Sequence, residues 1–296
     1  MNNNPSSRLA IVLVTYNRLA LLKQTLASIA EQTYPIDTVV IVDNASTDGT
    51  AEFLRAYDKL NTHVVYSEKN TGGAGGFYQG VKTAFELGFD WLYAIDDDVL
   101  PKPDCVATLM AFGYPAMISV REDKAGVLVE RSALKYDLKN PFLANPKRLS
   151  IEQKYHSRDA MPAEVAVMNI PFEGLMVCRE VIEQVGYPNP DYFISGDDVD
   201  YALRIRQAGY AIMAIRDAVL VRQLDYELSD ALASWKAFYM YRNFFYIHYT
   251  YGENAGVRYK PYVLTPLLIL RALCLGDLPQ AKSIWQAIKV FKSLKL

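Results

Sequence analysis

Three consecutive aspartates, Asp96, Asp97 and Asp98, close a compact apolar run at Trp91–Ile95. Carboxylates converging at the end of a strand suit a hard divalent cation that keeps some waters and bridges substrate phosphates. They end a strand, whose side chains alternate, so Asp96 and Asp98 should face one side and Asp97 the other. A fourth acid, Asp43 in IVDNASTDGT, is placed to accept hydrogen bonds from a base or a ribose. It can equally serve a turn in which Ser46, Thr47 and Asp48 cap the next helix. Asn70–Gly76 reads NTGGAGG, four glycines running into a helical pattern. Glycine permits close backbone approach to an anion at a helix start, or simply a tight turn. The spacing fits neither the Walker pattern nor GxGxxG, because the position three after Gly75 is Tyr78. Finally, Ser195–Asp200 reads SGDDVD and opens a helix. One reading is a general base aimed at the sheet edge. The other is helix-dipole stabilisation, with Ser195 and Asp198 approximating a capping box and Asp200 pairing with Arg204.

The elements that must position these groups are legible as a period. Leu9–Val14, Thr38–Val42, His63–Tyr66 and Trp91–Ile95 read as strands, with helical patterns at Leu19–Ala30, Asp48–Tyr57 and Ala74–Leu87 between them. Strands separated by helices predict βαβ units and a mainly parallel sheet covered on both faces. Right-handed crossovers then gather the strand ends on one edge, where open α/β sheets bind ligands. Thr15, Tyr16 and Asn17, then Asp43 and Asn44, then Asp96–Asp98 all fall on that edge. Arg121–Pro162, charged and interrupted by Pro141 and Pro146, reads as a long excursion or mobile loop. Beyond it, Glu164–Met168 and Gly174–Val177 read as strands, Asp197–Ala208 as a helix, and Ala211–Ile215 and Ala218–Val221 as two further strands. An aromatic-rich helix follows at Ala231–Tyr249, whose stripe suits a core and whose His248 suits a packed residue. The tail Ser283–Leu296 carries Lys289, Lys292 and Lys295 with Trp285, Ile288 and Phe291 at helical spacing. It suits a helix on an anionic membrane surface, or a docking or oligomerisation helix.

Composition bounds the remaining classes. The 296 residues are 51% hydrophobic and 22% charged, with net charge −2. That excludes global disorder and argues against a dedicated nucleic-acid binder. Three scattered cysteines and three histidines, without CxxC, argue against disulfide scaffolds and structural zinc and favour a reducing, cytoplasmic compartment. The polar start MNNNPSSR lacks a signal pattern. The longest apolar stretch, Val263–Leu275, contains Pro266 and Arg271 and falls short of the roughly 20 residues of a spanning helix.

Taken in order, VTYNR at Val14–Arg18, IVDNASTDGT, NTGGAGGF at Asn70–Phe77, AIDDDVLP at Ala94–Pro101, GDDVDYALRIRQAGY at Gly196–Tyr210 and YRN at Tyr241–Asn243 resemble the inverting glycosyltransferases of family 2. The resemblance covers about residues 8–250, and NTGGAGGF followed by DDDV is most similar to the galactofuranosyltransferase branch, with the rhamnosyltransferase-like branch close by. It implies the α/β GT-A nucleotide-diphospho-sugar fold over residues 1–230, with a nucleotide-sugar half at about 8–100, an acceptor half at about 101–230 and a C-terminal helical region at 231–296. It further implies that Thr15, Tyr16, Asn17, Arg18, Asp43, Asn70, Gly72, Gly73, Gly75, Gly76, Asp96, Asp97 and Arg222 hold the nucleotide and donor, with Asp43 reading the uracil. Asp98 and Asp96 would bind Mn²⁺ or Mg²⁺, Asp198 would be the catalytic base, and Asp197, Tyr155 and His156 would meet the acceptor. Gly196 stands where galactofuranosyltransferases often carry Trp. Arg222 and Gln223 stand where a metal-binding His is common, and Arg222 suits the diphosphate itself. The implied activity is transfer from a UDP-sugar, foremost UDP-galactofuranose, to a lipid-linked bacterial polysaccharide, at the inner face of the cytoplasmic membrane. A dTDP-rhamnose enzyme and a non-catalytic nucleotide-sugar-binding subunit are the alternatives.

Overall fold

The computed structural model describes residues 7–224 and 235–294. Residues 1–6, the predicted helix start at 231–234, and Lys295 and Leu296 lie outside the described residues. The amino-terminal half follows the predicted alternation: β1 (Leu9–Thr15), α1 (Leu19–Ala30), β2 (Thr38–Asp43), α2 (Thr50–Arg55), β3 (Thr62–Tyr66), α3 (Gly72–Glu86) and β4 (Trp91–Asp96). Short β5 (Val99–Pro101), α4 (Cys105–Phe112) and β6 (Ala116–Glu122) come next. The chain then runs through β7 (Ala133–Tyr136), β8 (Lys147–Ser150), α5 (Ile151–Tyr155), β9 (Glu164–Val167), β10 (Leu175–Cys178), α6 (Arg179–Val185), α7 (Asp197–Gln207) and β11 (Ile212–Arg222). Three helices close it: α8 (Lys236–Tyr251), α9 (Ala255–Cys274) and α10 (Leu278–Val290).

One nine-stranded sheet orders these as β3-β2-β1-β4-β10-β6-β11-β5, with β9 beside β11. Neighbours β3, β2, β1 and β4 are parallel, and so are β6 and β11, while β10 runs antiparallel between β4 and β6. This is the GT-A-like architecture, a mixed, mostly parallel sheet flanked by helices with a C-terminal helical extension. Period-two alternation divides β1 between two layers. Ala10, Val12 and Val14 pack under α3 with Phe77 and Val81, and Leu9, Ile11 and Leu13 pack under α1 with Leu22, Leu26 and Ile29.

Four expectations change. Arg121–Pro162 is no loose loop: it holds the end of β6, the β7–β8 hairpin and α5, whose Ser150 and Gln153 form a capping box. The two strands expected at Ala211–Val221 are one strand with a bulge between Ile215 and Val219, which lets it pair β9 and then β5. The tail helix starts at Leu278, before Ser283, and its apolar residues Ile284, Ala287 and Phe291 turn inward. α9 was hidden by Pro261 and Pro266 inside it. The Thr265 hydroxyl donates back to the Pro261 carbonyl, one turn earlier, at 2.7 Å.

Candidate active site

Register gathers the first groups. Thr15 pairs with Asp43, and Val14 with Asp96, so the carboxyl ends of three adjacent strands open on one edge. β4 stops at Asp96, and Asp97 and Asp98 form the turn into β5, so the expected alternation does not reach them. Asp97 instead turns into the protein, accepting from the Thr15 hydroxyl at 2.7 Å and from Arg18 Nη1 at 3.0 Å. The same Arg18 nitrogen reaches Asp98 at 2.9 Å, and Thr25 ties the turn to α1 through the Asp97 and Val99 carbonyls. Asp96 is half-buried, and no side chain or amide among the described residues hydrogen-bonds its carboxylate. Asp98 is its foremost charged neighbour. Burial, then this like charge, holds Asp96 well above the ordinary carboxylate range, and burial with the nearby Glu173 raises Asp98.

Glu173 had no signal in the sequence. It enters at the start of β10, accepting from Arg121 at 2.5 Å and from Arg222 Nε at 3.0 Å. Arg121 in turn grips the fully buried Glu130 with two nitrogens, at 2.9 and 3.0 Å. Arg222 therefore sits beside Asp98, with part of its charge already engaged by Glu173. The donor chemistry fits a divalent ion: Asp96 and Asp98 are hard oxygen ligands whose repulsion a cation relieves. No cluster of three metal-ligating side chains exists among the described residues.

The glycine run holds protein against protein. A Cβ on Gly72 (φ +72°) would lie 1.9 Å from the Phe193 carbonyl oxygen, and one on Gly76 would lie 2.5 Å from Val14. A Cβ on Gly75 would strike Thr71, and only Gly73 of the four meets open space. Close approach by Gly72 and Gly76 is thus to the loop before α7 and to β1. Asn44 fixes the same junction: its amide donates to Asn70 and the Gly72 carbonyl, and its oxygen accepts from Thr71. Asn70 Oδ1 also accepts from the Gly72 amide at 2.8 Å. Asn17, in left-handed conformation (φ 51°), clasps Thr47 and Ser46. Tyr16 stands exposed at the rim, and Asp43 is buried with Oδ1 on the Ser46 amide at 3.0 Å.

The second set of acids is presented by a strained loop. Phe193, Ser195 and Gly196 all have positive φ, and Gly196, rather than Ser195, is the N-cap of α7. The expected capping box is absent. Asn243 on α8 holds this loop, donating from Nδ2 to the carbonyls of Tyr192, Ile194 and Ser195 at 3.0, 2.9 and 2.6 Å. Arg242 adds the Asp191 and Tyr192 carbonyls, which explains the YRN motif. Asp200, fully buried, is structural: it accepts from Tyr192, Tyr251 and Arg204, and the Arg204 pairing is the one expected. His248 is packed as expected, bonded to the Phe244 carbonyl, with burial pushing it down to about 4.

Asp197 and Asp198 remain. Asp197 is buried, and burial followed by the Asp198 charge pushes its carboxyl up to about 8. Asp198 is half-buried and also raised by burial, but Lys147 and Arg121 favour its ionised form. Of the pair, Asp197 is therefore the carboxyl that its surroundings favour in the protonated form, while Lys147 and Arg121 oppose a proton on Asp198. Tyr136 and Lys147, directly paired across the β7–β8 hairpin, are the groups whose ionisation Asp198 influences. Tyr155 packs on the main core, and exposed His156 ends α5 in left-handed conformation. A group whose folded pKa is raised binds an extra proton in the native state, so stability falls as pH rises between the ordinary value of 3.8 and about 8. Asp197→Asn is expected to flatten this decline, gaining on the wild type in Tm as pH rises. Circular dichroism melts across that window check it, and parallel curves would contradict the raised Asp197 carboxyl.

Comparison with known proteins completes the description. Residues 10–113 match the model of glycosyl transferase family 2. The amino-terminal third of the chain thus resembles the family 2 glycosyltransferases, carried on a GT-A-like fold. Galactofuranosyltransferase GlfT1 of Mycolicibacterium smegmatis is 26% identical over 201 residues, covering 67% of this chain and 65% of that protein. Glycosyltransferase AglE of Haloferax volcanii is 26% identical over 220 residues, covering 71% of this chain and 65% of that one. The chain thus spans just under two thirds of the length of these curated relatives. Among solved structures, mannosyltransferase PcManGT of Pyrobaculum calidifontis, in complex with GDP-Man and Mn2+, aligns with TM-score 0.59 and 20% identity over 98% of this chain and 88% of that one.

Proposed function

We propose that the chain is an inverting sugar transferase that takes galactofuranose from UDP-galactofuranose and places it on a hydroxyl of a lipid-linked bacterial glycan. The observation that carries this is the division of the acids. Asp96 and Asp98 lie partly unneutralised at the sheet edge, while Asp198 is an ionisable base beside a protonated Asp197 at the start of α7. Thr15, Asp43 and the α3 junction would receive the nucleotide at the strand ends. Asp96 and Asp98 would hold Mn²⁺ or Mg²⁺, which when bound supplies positive charge against the diphosphate. Arg18 and Arg222 stand beside them to share that charge. Asp198 would take the acceptor hydroxyl's proton as that oxygen bonds to the anomeric carbon. The bond to the diphosphate breaks in the same displacement and the nucleotide leaves with its electron pair. One base suffices, unlike the paired carboxylates of glycosidases. The galactofuranosyltransferase relatives support the donor, and the expected site of action is the inner face of the cytoplasmic membrane.

Turnover of UDP-galactofuranose and of dTDP-rhamnose, each with Mn²⁺, Mg²⁺ or chelator, tests the reading. The expected result is use of the UDP donor that chelation abolishes. Preference for dTDP-rhamnose would overturn the sugar. Turnover surviving chelation would move the phosphate-neutralising role to Arg18 and Arg222. UDP binding without turnover of any donor would leave a binding subunit.

A further inference from the structure

α9 is apolar on two faces, and only one of them is covered. Val257, Pro261, Thr265 and Ala272 point inward, and α9 packs on α8 and α10. On the other side Tyr259, Val263, Leu267 and Leu270 recur at spacings of four, four and three and are 59–65% exposed. Leu273 and Leu275 extend this strip towards Leu278, which is 66% exposed at the start of α10. A soluble helix surface does not ordinarily leave such a continuous apolar stripe in water.

Charge says what covers it. Residues 255–296 carry seven basic residues and one acid, Asp277, although the whole chain has net charge −2. The remaining 254 residues are therefore strongly acidic, and the cations gather on the unit that bears the open stripe. Arg271 on α9 and Lys282 and Lys289 on α10 are exposed. Trp285, 52% exposed, lies under Lys289 with the ammonium 4.5 Å from its ring centroid. A second copy of the chain would bring two such basic faces together, whereas an anionic bilayer opposes them with the opposite charge. No helix among the described residues is long and apolar enough to cross a membrane. We infer that the Tyr259–Val263–Leu267–Leu270 face of α9 docks flat on an anionic lipid surface, with the cations of α9 and α10 at headgroup level. This moves the contact away from the tail helix, whose own apolar side is spent on α8. The docking face stands on exposure and charge alone; only its use in meeting a lipid-linked acceptor rests on the proposed transfer.

Cosedimentation of the full chain with phosphatidylcholine vesicles, with and without phosphatidylglycerol, tests it. The expected result is binding at least about tenfold tighter to the phosphatidylglycerol vesicles, weakening as salt is raised. Leu267→Asp with Leu270→Asp should abolish binding, and Arg271→Ala with Lys282→Ala should weaken it. All four side chains are exposed, so the helical spectrum and UDP binding should be unchanged. Absence of wild-type binding, equal binding by the Leu267/Leu270 variant, or a wild-type dimer that this variant dissociates would each overturn the inference. Failure of UDP binding in the wild type would overturn the transfer reading and leave the vesicle result standing.

Discussion

Asp198→Asn is expected to lower sugar transfer by about 10³-fold, within the range that a positioned general base contributes. The substitution keeps the shape of the side chain and its acceptance of the Val199 amide at 2.7 Å, so α7 should start as before. What it removes is the ability to take a proton. Asp197 is a poor substitute, because its burial, which Asp198→Asn leaves unchanged, favours its protonated form. UDP affinity should stay within about twofold, since a group acting only in the transition state does not contribute to ground-state binding. Calorimetric UDP binding beside initial rates separates the two. Full activity in the variant would remove Asp198 from the mechanism, and lost UDP binding would make it a donor residue.

Asn243→Leu should do comparable damage by a different route. Asn243 is 1% exposed and supplies the donors for three carbonyls of the loop that delivers Asp197 and Asp198. Leucine has similar volume and no donor. Arg242 still reaches the Tyr192 carbonyl, which leaves those of Ile194 and Ser195 without Asn243; unpaired buried carbonyls cost about 1–3 kcal/mol each, so a loss of roughly 3 kcal/mol is expected. For a chain this long that is a fall in Tm of about 6–12 °C. The loop holds Phe193, Ser195 and Gly196 at positive φ, conformations that persist only when the surroundings impose them. Relaxation of the loop displaces Asp198, and a misplacement of about 1 Å costs about 10²-fold in rate. A Tm within about 2 °C of wild type, with unchanged transfer, would show that α8 does not hold the loop.

The two variants mark where the sequence was readable and where it was not. Compact apolar runs at β1 and β2, separated by a helical pattern, revealed the sheet because each such signal is local, and its edge followed from handedness alone. Asp43, Asp96 and Asp198 were visible as acids at element ends. The order β4-β10-β6 was not visible, because an antiparallel strand drawn from residues 175–178 into the middle of the sheet leaves no local period. Glu173 came with it. Tyr136 and Lys147 were missed because charged residues and prolines disguised a hairpin as a loop. The packing of the glycines was not legible, because Phe193 and Val14, which Gly72 and Gly76 approach, lie far away in the sequence. α9 was missed through its prolines, and the lysines of the tail drew attention to a helix whose apolar side is already buried.

The central claim is a single displacement with Asp198 as base, and stereochemistry reports it most directly. The glycoside first formed from UDP-galactofuranose should carry the anomeric configuration opposite to that of the donor, read from its anomeric proton and carbon resonances. Retained configuration would exclude a single displacement on the far face of the anomeric carbon and would contradict the account.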